Sequence, residues 1–371
     1  MDKRQFLKTT SMAAAGCAIG MGEANHAASV PKKPKFWAWV TTDLEALDEE
    51  WKRRFSTWKA HGLDAILPEV VSNRTAHYAS AHLPVSEPWL ERLLPIARTE
   101  GLEVHCWMHT MACTMDSVHA EHPEWYNVNR NGDNSWDHPA YVGYYRFLCP
   151  SRPGVHEFLQ KRVRELSAFD VDGVHLDYIR YPDVILAESL QPHYDIVQDK
   201  EYPQYDYCYC DVCRAGFAEM HGVDPLEMED PTASSEWFQY RCDLITSLVN
   251  DKLIPVGREA GKQMTAAVFP NWQHVRQQWG KWKLDHVLPM LYHRFYNADI
   301  PWIGEKVREE IAFLDHGEPL SAGVMLGRTS AEDFEQMIEV SLAAGAAGLS
   351  VFNAGDFDDE KLLALKAASG A

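Results

Sequence analysis

Positive charge is scarce in this chain. Across its 371 residues, 35 Lys and Arg face 54 Asp and Glu, for a formal net charge of -19. A balance so acidic argues against nucleic acid or an anionic membrane surface as partner. Long apolar runs are scarce too: outside the N-terminal stretch, no segment is long and apolar enough to cross a bilayer. There is no short-period internal repeat and no low-complexity tract. A glycine-rich phosphate turn is missing after the first strand-like segment, where Thr41-Thr42-Asp43 stands. That absence counts against a doubly wound, dinucleotide-type sheet. What is present is ordinary for a globular domain: 46% hydrophobic and 24% charged residues, in a length ample for one large core. The 13 Trp, 15 Tyr and 14 Phe suit either a core or the stacking of sugar rings, and composition does not separate the two.

Residues 1–29 read as an export signal. Lys3 and Arg4 open a charged region, and the apolar stretch from Met12 to Met21 is too short to span a bilayer. Lys3-Arg4-Gln5-Phe6-Leu7-Lys8 resembles the twin-arginine pattern with Lys in the first position, which leaves the export route open. Ala14-Ala15-Gly16-Cys17 resembles a lipobox and implies a lipid anchor on Cys17. The alternative is cleavage near Ala24 or Ala28, giving a soluble periplasmic protein. Either way the expected location is outside the cytoplasm, in the periplasm or as a cell-surface lipoprotein.

From residue 30 to 371 strand-like and helix-like segments alternate within one domain. Strands are predicted at Phe36–Val40, Ala65–Glu69, Glu103–Thr110, Val174–Asp177, Met264–Phe269, Val287–Tyr292, Ala322–Leu326 and Gly348–Asn353. Helices are predicted at Leu44–His61 with Asp43 as N-cap, Pro88–Thr99, Arg152–Phe169 with Ser151 as N-cap, Ser235–Glu259, Ile303–Leu314, Ala331–Ala343 with Ser330 as N-cap, and Asp359–Ala368. Eight strands alternating with seven helices predict an α/β fold, a (β/α)8 TIM barrel, with a long insertion after the fourth strand at about 183–234. A barrel would bring the strand ends Trp39, Glu69, His109, Asp177, Asn271, Tyr292 and Asn353 to one mouth.

The most informative stretch is Asp172-Gly173-Val174-His175-Leu176-Asp177-Tyr178-Ile179-Arg180-Tyr181-Pro182. Its apolar residues suit a buried strand, and side chains alternate, so His175 and Asp177 share a side. An ionisable pair at the end of a buried strand is costly unless it is solvated, bonded or working. This stretch resembles the signature of the glycoside-hydrolase-like family 10 proteins, exported (β/α)8 barrels related to hydrolase domains that cut poly-N-acetylglucosamine. Pro123-Glu124-Trp125 with Asn129-Arg130-Asn131-Gly132, Cys149-Pro150-Ser151-Arg152-Pro153-Gly154-Val155, and Trp282 with Asp285-His286-Val287-Leu288-Pro289-Met290-Leu291-Tyr292 resemble further parts of that family. The likeness implies glycoside hydrolysis of a polysaccharide or oligosaccharide. The stretch also resembles the chitinase-type signature, but His175 stands for its middle Asp, and Ile179 and Arg180 stand around its catalytic Glu. The seventh strand, Val324-Met325-Leu326-Gly327, carries no Glu either.

Glycoside cleavage normally takes two carboxyl groups. Asp177 is the first candidate and Glu69 the second, with Asp195, Asp206 and Asp356 behind them. Glu69 could equally be a plain loop charge, and Asp177 could merely cap a loop or pair with Arg180. Arg180 could instead hold Asp177 ionised or bind a substrate carboxylate. Trp39, Trp107, Trp272 and Tyr292 are candidate sugar platforms, though an aromatic in such a place is more often core than ligand contact. Tyr178, His109, His175 and Asn353 are candidate sugar contacts. No cofactor is required by this chemistry. Two rival readings are a non-catalytic carbohydrate-binding barrel and a metal-dependent esterase or deacetylase built on His105, His109, His175 and Asp177. Against the last, amidohydrolase-type barrels carry His-x-His on the first strand, where Trp37-x-Trp39 stands here. Cys208, Cys210 and Cys213 form a tight cluster on the insertion. They suit a structural zinc with Cys242 or His221 as fourth ligand, or a disulfide.

Overall fold

The computed structural model describes residues 33–371. The expected export signal, with Cys17, lies outside the described residues. Eight strands, β1 (Lys35–Val40), β2 (Ala65–Val71), β3 (Glu103–His109), β4 (Gly173–Asp177), β5 (Gln263–Val268), β6 (His286–Pro289), β7 (Ser321–Met325) and β8 (Gly348–Phe352), run parallel in the order β6-β5-β4-β3-β2-β1-β8-β7. Parallel bridges from Val287 to Leu320 and from Met290 to Gly323 bring β6 against β7. The ring therefore closes, which leaves no open sheet edge. The fold is the (β/α)8 barrel that the alternation predicts.

The period-two side-chain rule divides the core in two. Outward residues such as Ile66, Val104, Val174 and Leu176 pack under the helices, while Trp37, Trp39, Leu67, Trp107, Ala267 and Leu288 fill the barrel axis. Large rings do here what branched aliphatics usually do in such barrels. At the N-terminal end the Lys35 ammonium sits 4.0 Å above the Trp37 ring and bonds Glu103 Oε2 at 2.5 Å. Gly173 opens β4 because His105 needs the space: a Cβ there would meet His105 Nδ1 at 2.3 Å.

Helices α1 (Asp48–Ala60), α2 (Trp89–Thr99), α3 (Asp116–Glu121), α4 (Pro153–Ser167), α5 (Asp211–His221), α6 (Ser235–Ser247), α7 (Ile254–Glu259), α8 (Ile300–Phe313), α9 (Ala331–Ala343) and α10 (Asp359–Ser369) complete the chain. Several ends differ from expectation. Asp43 accepts from Ala46 N in a turn ahead of α1, so it caps no helix. Ser151 Oγ turns to Cys213 Sγ at 3.1 Å and makes no cap on α4. Ser330 does cap α9, accepting from Asp333 N at 3.0 Å. The single helix expected over Ser235–Glu259 is split by a π-helical turn, Leu248–Leu253. Pro255 follows it; proline lacks an N–H and its ring crowds the preceding turn, which breaks the regular ladder. The stretch between β4 and α6 carries four short 3-10 turns and α5. It places Asp183, Leu186, Leu190 and Tyr194 over the mouth.

Candidate active site

The barrel mouth holds a cavity of about 480 Å³ whose wall includes Trp39, Glu69, Trp107, His109, Asp177, Tyr178, Arg180 and Tyr292. Strand register explains the gathering. Glu69 on β2 pairs with Trp107 on β3, and His109 on β3 pairs with Asp177 on β4. The register slips between Glu69 and Val71, a bulge of the kind that re-aims side chains at barrel rims.

Asp177 is the last residue of β4. Tyr178 follows with φ of 51°, in the left-handed region that non-glycine residues rarely enter. That turn brings the Tyr178 amide onto Asp177 Oδ1 at 2.6 Å, while Trp107 Nε1 donates to Oδ2 at 3.0 Å. Both oxygens thus face N–H donors, as an ionised carboxylate requires. Burial pushes the Asp177 carboxyl up to about 6, against the pull of the Tyr178 amide, the Arg180 charge and the Trp107 indole.

Glu69 stands across β3 from it. Burial raises the Glu69 carboxyl, contact with Thr42 opposes the rise, and the Asp177 charge adds to it. His109 Nε2 lies 3.3 Å from Glu69 Oε1. Burial, then the Arg162 and His77 charges, push His109 down to about 3. Both partners are driven toward their uncharged forms, so the contact is a neutral imidazole beside a carboxyl, not an ion pair.

Arg180 is buried and occupied. It bonds Asp183 Oδ2 at 2.9 Å, the Tyr181 carbonyl at 2.9 Å and the Tyr145 hydroxyl at 3.2 Å. Burial opposes its charge, and Asp183, Tyr145 and Tyr178 together more than restore it. It reaches Asp177 through its field.

Three expected mouth residues lie elsewhere. His175 is fully buried one layer below the floor. Trp39 Nε1 donates to its Nε2 at 3.2 Å, so Nδ1 carries the proton and donates to Thr265 Oγ1 at 2.8 Å. Asn353 turns its side chain onto Gly355 N at 2.8 Å, capping a 3-10 turn. Trp272 stands in a neighbouring groove, stacked on Phe313 with ring centroids 5.2 Å apart. The rival histidine cluster does not assemble: His105 packs on Trp37 at the far end of the barrel, away from His109. Asp206 is locked to Arg241, and Asp356 caps the turn after β8. Sequence reasoning passed over Tyr144, Tyr145, Phe269, Tyr296 and Phe352, which also line the cavity. Phe269 and Phe352, at or just beyond a strand end, follow from the same strand-end rule as Asn271 and Asn353.

The cysteine cluster gains a fourth member, and it is Cys149, not Cys242 or His221. The sulfurs of Cys149, Cys208, Cys210 and Cys213 lie within 4.8 Å of one another and are buried. Cys149 Sγ is 3.6 Å from Cys210 Sγ and 3.5 Å from Cys213 Sγ. A tetrahedral zinc with Zn–S near 2.3 Å separates its sulfurs by about 3.8 Å. A disulfide needs about 2.05 Å. The donor set therefore fits zinc.

Searches of known proteins give a consistent fold. The catalytic domain of a β-amylase from Paenibacillus polymyxa is similar over 88% of this chain and 94% of its own, with a TM-score of 0.63 and 10% identity. A β-galactosidase from Marinomonas ef1 is similar over 91% of this chain and 59% of its own, with a TM-score of 0.62 and 10% identity. An α-L-fucosidase from Paenibacillus thiaminolyticus is similar over 90% of this chain and 48% of its own, with a TM-score of 0.57 and 16% identity. The chain thus spans about half of the fucosidase and about three fifths of the galactosidase. No curated protein sequence matches it. The family model described as Glycosyl hydrolase-like 10 matches residues 63–322. The Asp172–Pro182 signature lies inside that match, and the chain belongs to the Glycosyl hydrolase-like 10 family.

Proposed function

We propose that this protein hydrolyses O-glycosidic bonds in a polysaccharide or oligosaccharide bound at the barrel mouth. The observation that carries the reading is Asp177: a carboxylate with both oxygens held by N–H donors, facing a ring-walled cavity that a second, half-buried carboxyl, Glu69, also lines. Two carboxyls in unlike surroundings are the usual basis for dividing acid and base roles. Glu69, raised by burial and set against a neutral His109, is the acid. It gives its proton to the leaving glycosidic oxygen as the C–O bond breaks. Asp177, gripped in its ionised form, faces the anomeric carbon and stabilises the positive charge that develops there. Water then supplies a hydroxyl to that carbon and returns a proton to the acid. Tyr292 and Phe352, both partly exposed, offer apolar faces to the sugar, and the buried Trp39 and Trp107 back the floor beneath them. The named activities of the enzymes of like fold, β-amylase, β-galactosidase and α-L-fucosidase, agree with this class of chemistry. The test is whether new reducing ends form from a polysaccharide panel, and whether Asp177→Asn abolishes them.

A metal-dependent esterase is the weaker reading, because His109 alone of the candidate histidines reaches the carboxylates at the mouth. The metal belongs elsewhere. Cys149, Cys208, Cys210 and Cys213 would hold a structural zinc that ties the segment after β4 to the start of α4. No step of the hydrolysis passes through it.

Residues 1–29 serve as the export signal in this reading, with Cys17 as the lipid attachment point. Cell fractionation and the mass of the mature N-terminus test both.

A further inference from the structure

A second concave site adjoins the mouth. This groove, of about 520 Å³, is lined by Asn271, Trp272, Tyr296, Trp302, Glu310 and Phe313 among others. Asn271 and Tyr296 belong to both walls, and Tyr296 Oη donates to Asn271 Oδ1 at 2.9 Å across the boundary. The groove is therefore continuous with the candidate active site.

Two features set it apart from an ordinary crevice. The first is its rings. Trp302 stacks on Tyr296 with centroids 5.2 Å apart, Trp272 stacks on Phe313 at the same distance, and all four rings are partly exposed. Planar rings backed by a second ring make rigid apolar floors. The second feature is Glu310. It lies on the inward face of α8 with Ile303 and Val307, is 4% exposed, and has no hydrogen-bond partner for either carboxylate oxygen among the described residues. Buried polar groups are almost always paired, so an unpaired carboxyl calls for a reason. Burial holds it in the neutral acid form; Lys306 opposes that and Glu309 supports it. A neutral carboxylic acid offers one donor and one acceptor side by side. Neighbouring hydroxyls of a pyranose ring match that pair, and its C–H faces match the tryptophans.

We infer that the Trp272–Trp302–Glu310 groove is an outlying sugar subsite, which binds a neutral pyranose unit of the same glycan chain that enters the mouth. The inference rests on the reading of the mouth as a saccharide site. It goes further in assigning an extended chain, several units long, as the ligand.

The experiment measures equilibrium binding of maltohexaose, β-1,4-galactohexaose and chitohexaose, each against its disaccharide, to the full chain carrying Asp177→Asn. At least one hexasaccharide should bind at least tenfold more tightly than its disaccharide. Adding Trp302→Ala or Glu310→Leu should remove about tenfold of that affinity, while Glu310→Gln, which keeps a neutral donor and acceptor, should stay within threefold. Thermal unfolding separates binding from folding. Removing an unpaired buried carboxyl relieves a folding cost, so Glu310→Leu should unfold about 2 °C higher even as it binds less. Hexasaccharide affinity unchanged by Trp302→Ala and Glu310→Leu overturns the subsite and leaves the mouth reading standing. Binding of none of the three series to the Asp177→Asn chain overturns both.

Discussion

The Trp107 indole nitrogen donates to Asp177 Oδ2 at 3.0 Å, from β3, the strand next to the one that carries this carboxylate. That bond favours the ionised carboxylate, in opposition to the burial that lifts its pKa to about 6. On the reading of Asp177 as the ionised member of the pair, that balance sets the pH at which it acts. Trp107→Phe keeps the ring and removes the donor. The rising limb of the pH profile of kcat/KM should stand near 6 in the native protein and move upward by about half a unit in the variant, with less than about a twofold loss of rate at pH 7. A profile that does not move separates Trp107 from the titration of Asp177.

The same burial fixes the sign of a stability effect. Asp177 titrates near 3.8 when unfolded and near 6 when folded, so the folded state binds the extra proton between those values. Its contribution is most favourable below about pH 4 and is lost as pH rises through 6. The shift of about two units corresponds to roughly 3 kcal/mol. Asp177→Asn lacks this titration. Denaturant midpoints should show the variant gaining on the native protein by roughly that amount between pH 4 and pH 7. A gap that is flat with pH contradicts the buried, raised carboxyl.

His175 is fully buried beneath the floor of the cavity. Thr265→Val removes the acceptor of the His175 Nδ1 proton, at 2.8 Å, and leaves a buried N–H unpaired. Unfolding should be easier by about 1–3 kcal/mol, with turnover within twofold of native. Loss of turnover at unchanged stability would return His175 to the chemistry.

The cysteine cluster predicts one zinc per chain, measured by elemental analysis of the native protein. Cys149→Ser should lower the zinc content well below one and the melting temperature by several degrees. Cys242→Ser should keep the metal, since Cys242 lies on α6 outside the cluster. Retention of full zinc by Cys149→Ser would remove that ligand from the site.

Much of this was legible before any coordinates. Alternating strands and helices predict the barrel, and strand ends predict most of its mouth, because register in a parallel barrel leaves few alternatives. Glu69, His109 and Asp177 meet for that reason. What failed depended on side-chain direction. Asn353 and Trp272 follow strands as expected, but the chain turns immediately: Asn353 caps the turn after β8, and Trp272 begins a 3-10 turn that carries it into the next groove. His175 has the right parity and the wrong depth, one layer beneath Asp177. Cys149 sits 59 residues before Cys208 in the numbering, so the fourth thiol comes from tertiary packing that spacing does not encode.

The most direct test of the central claim is the release of new reducing ends by native protein and by Asp177→Asn from a panel of α- and β-linked polysaccharides, with folding checked by circular dichroism. The account predicts turnover of at least one polymer by the native chain and a fall in kcat of about a thousandfold or more in the variant. Turnover that survives Asp177→Asn within a few-fold would contradict it.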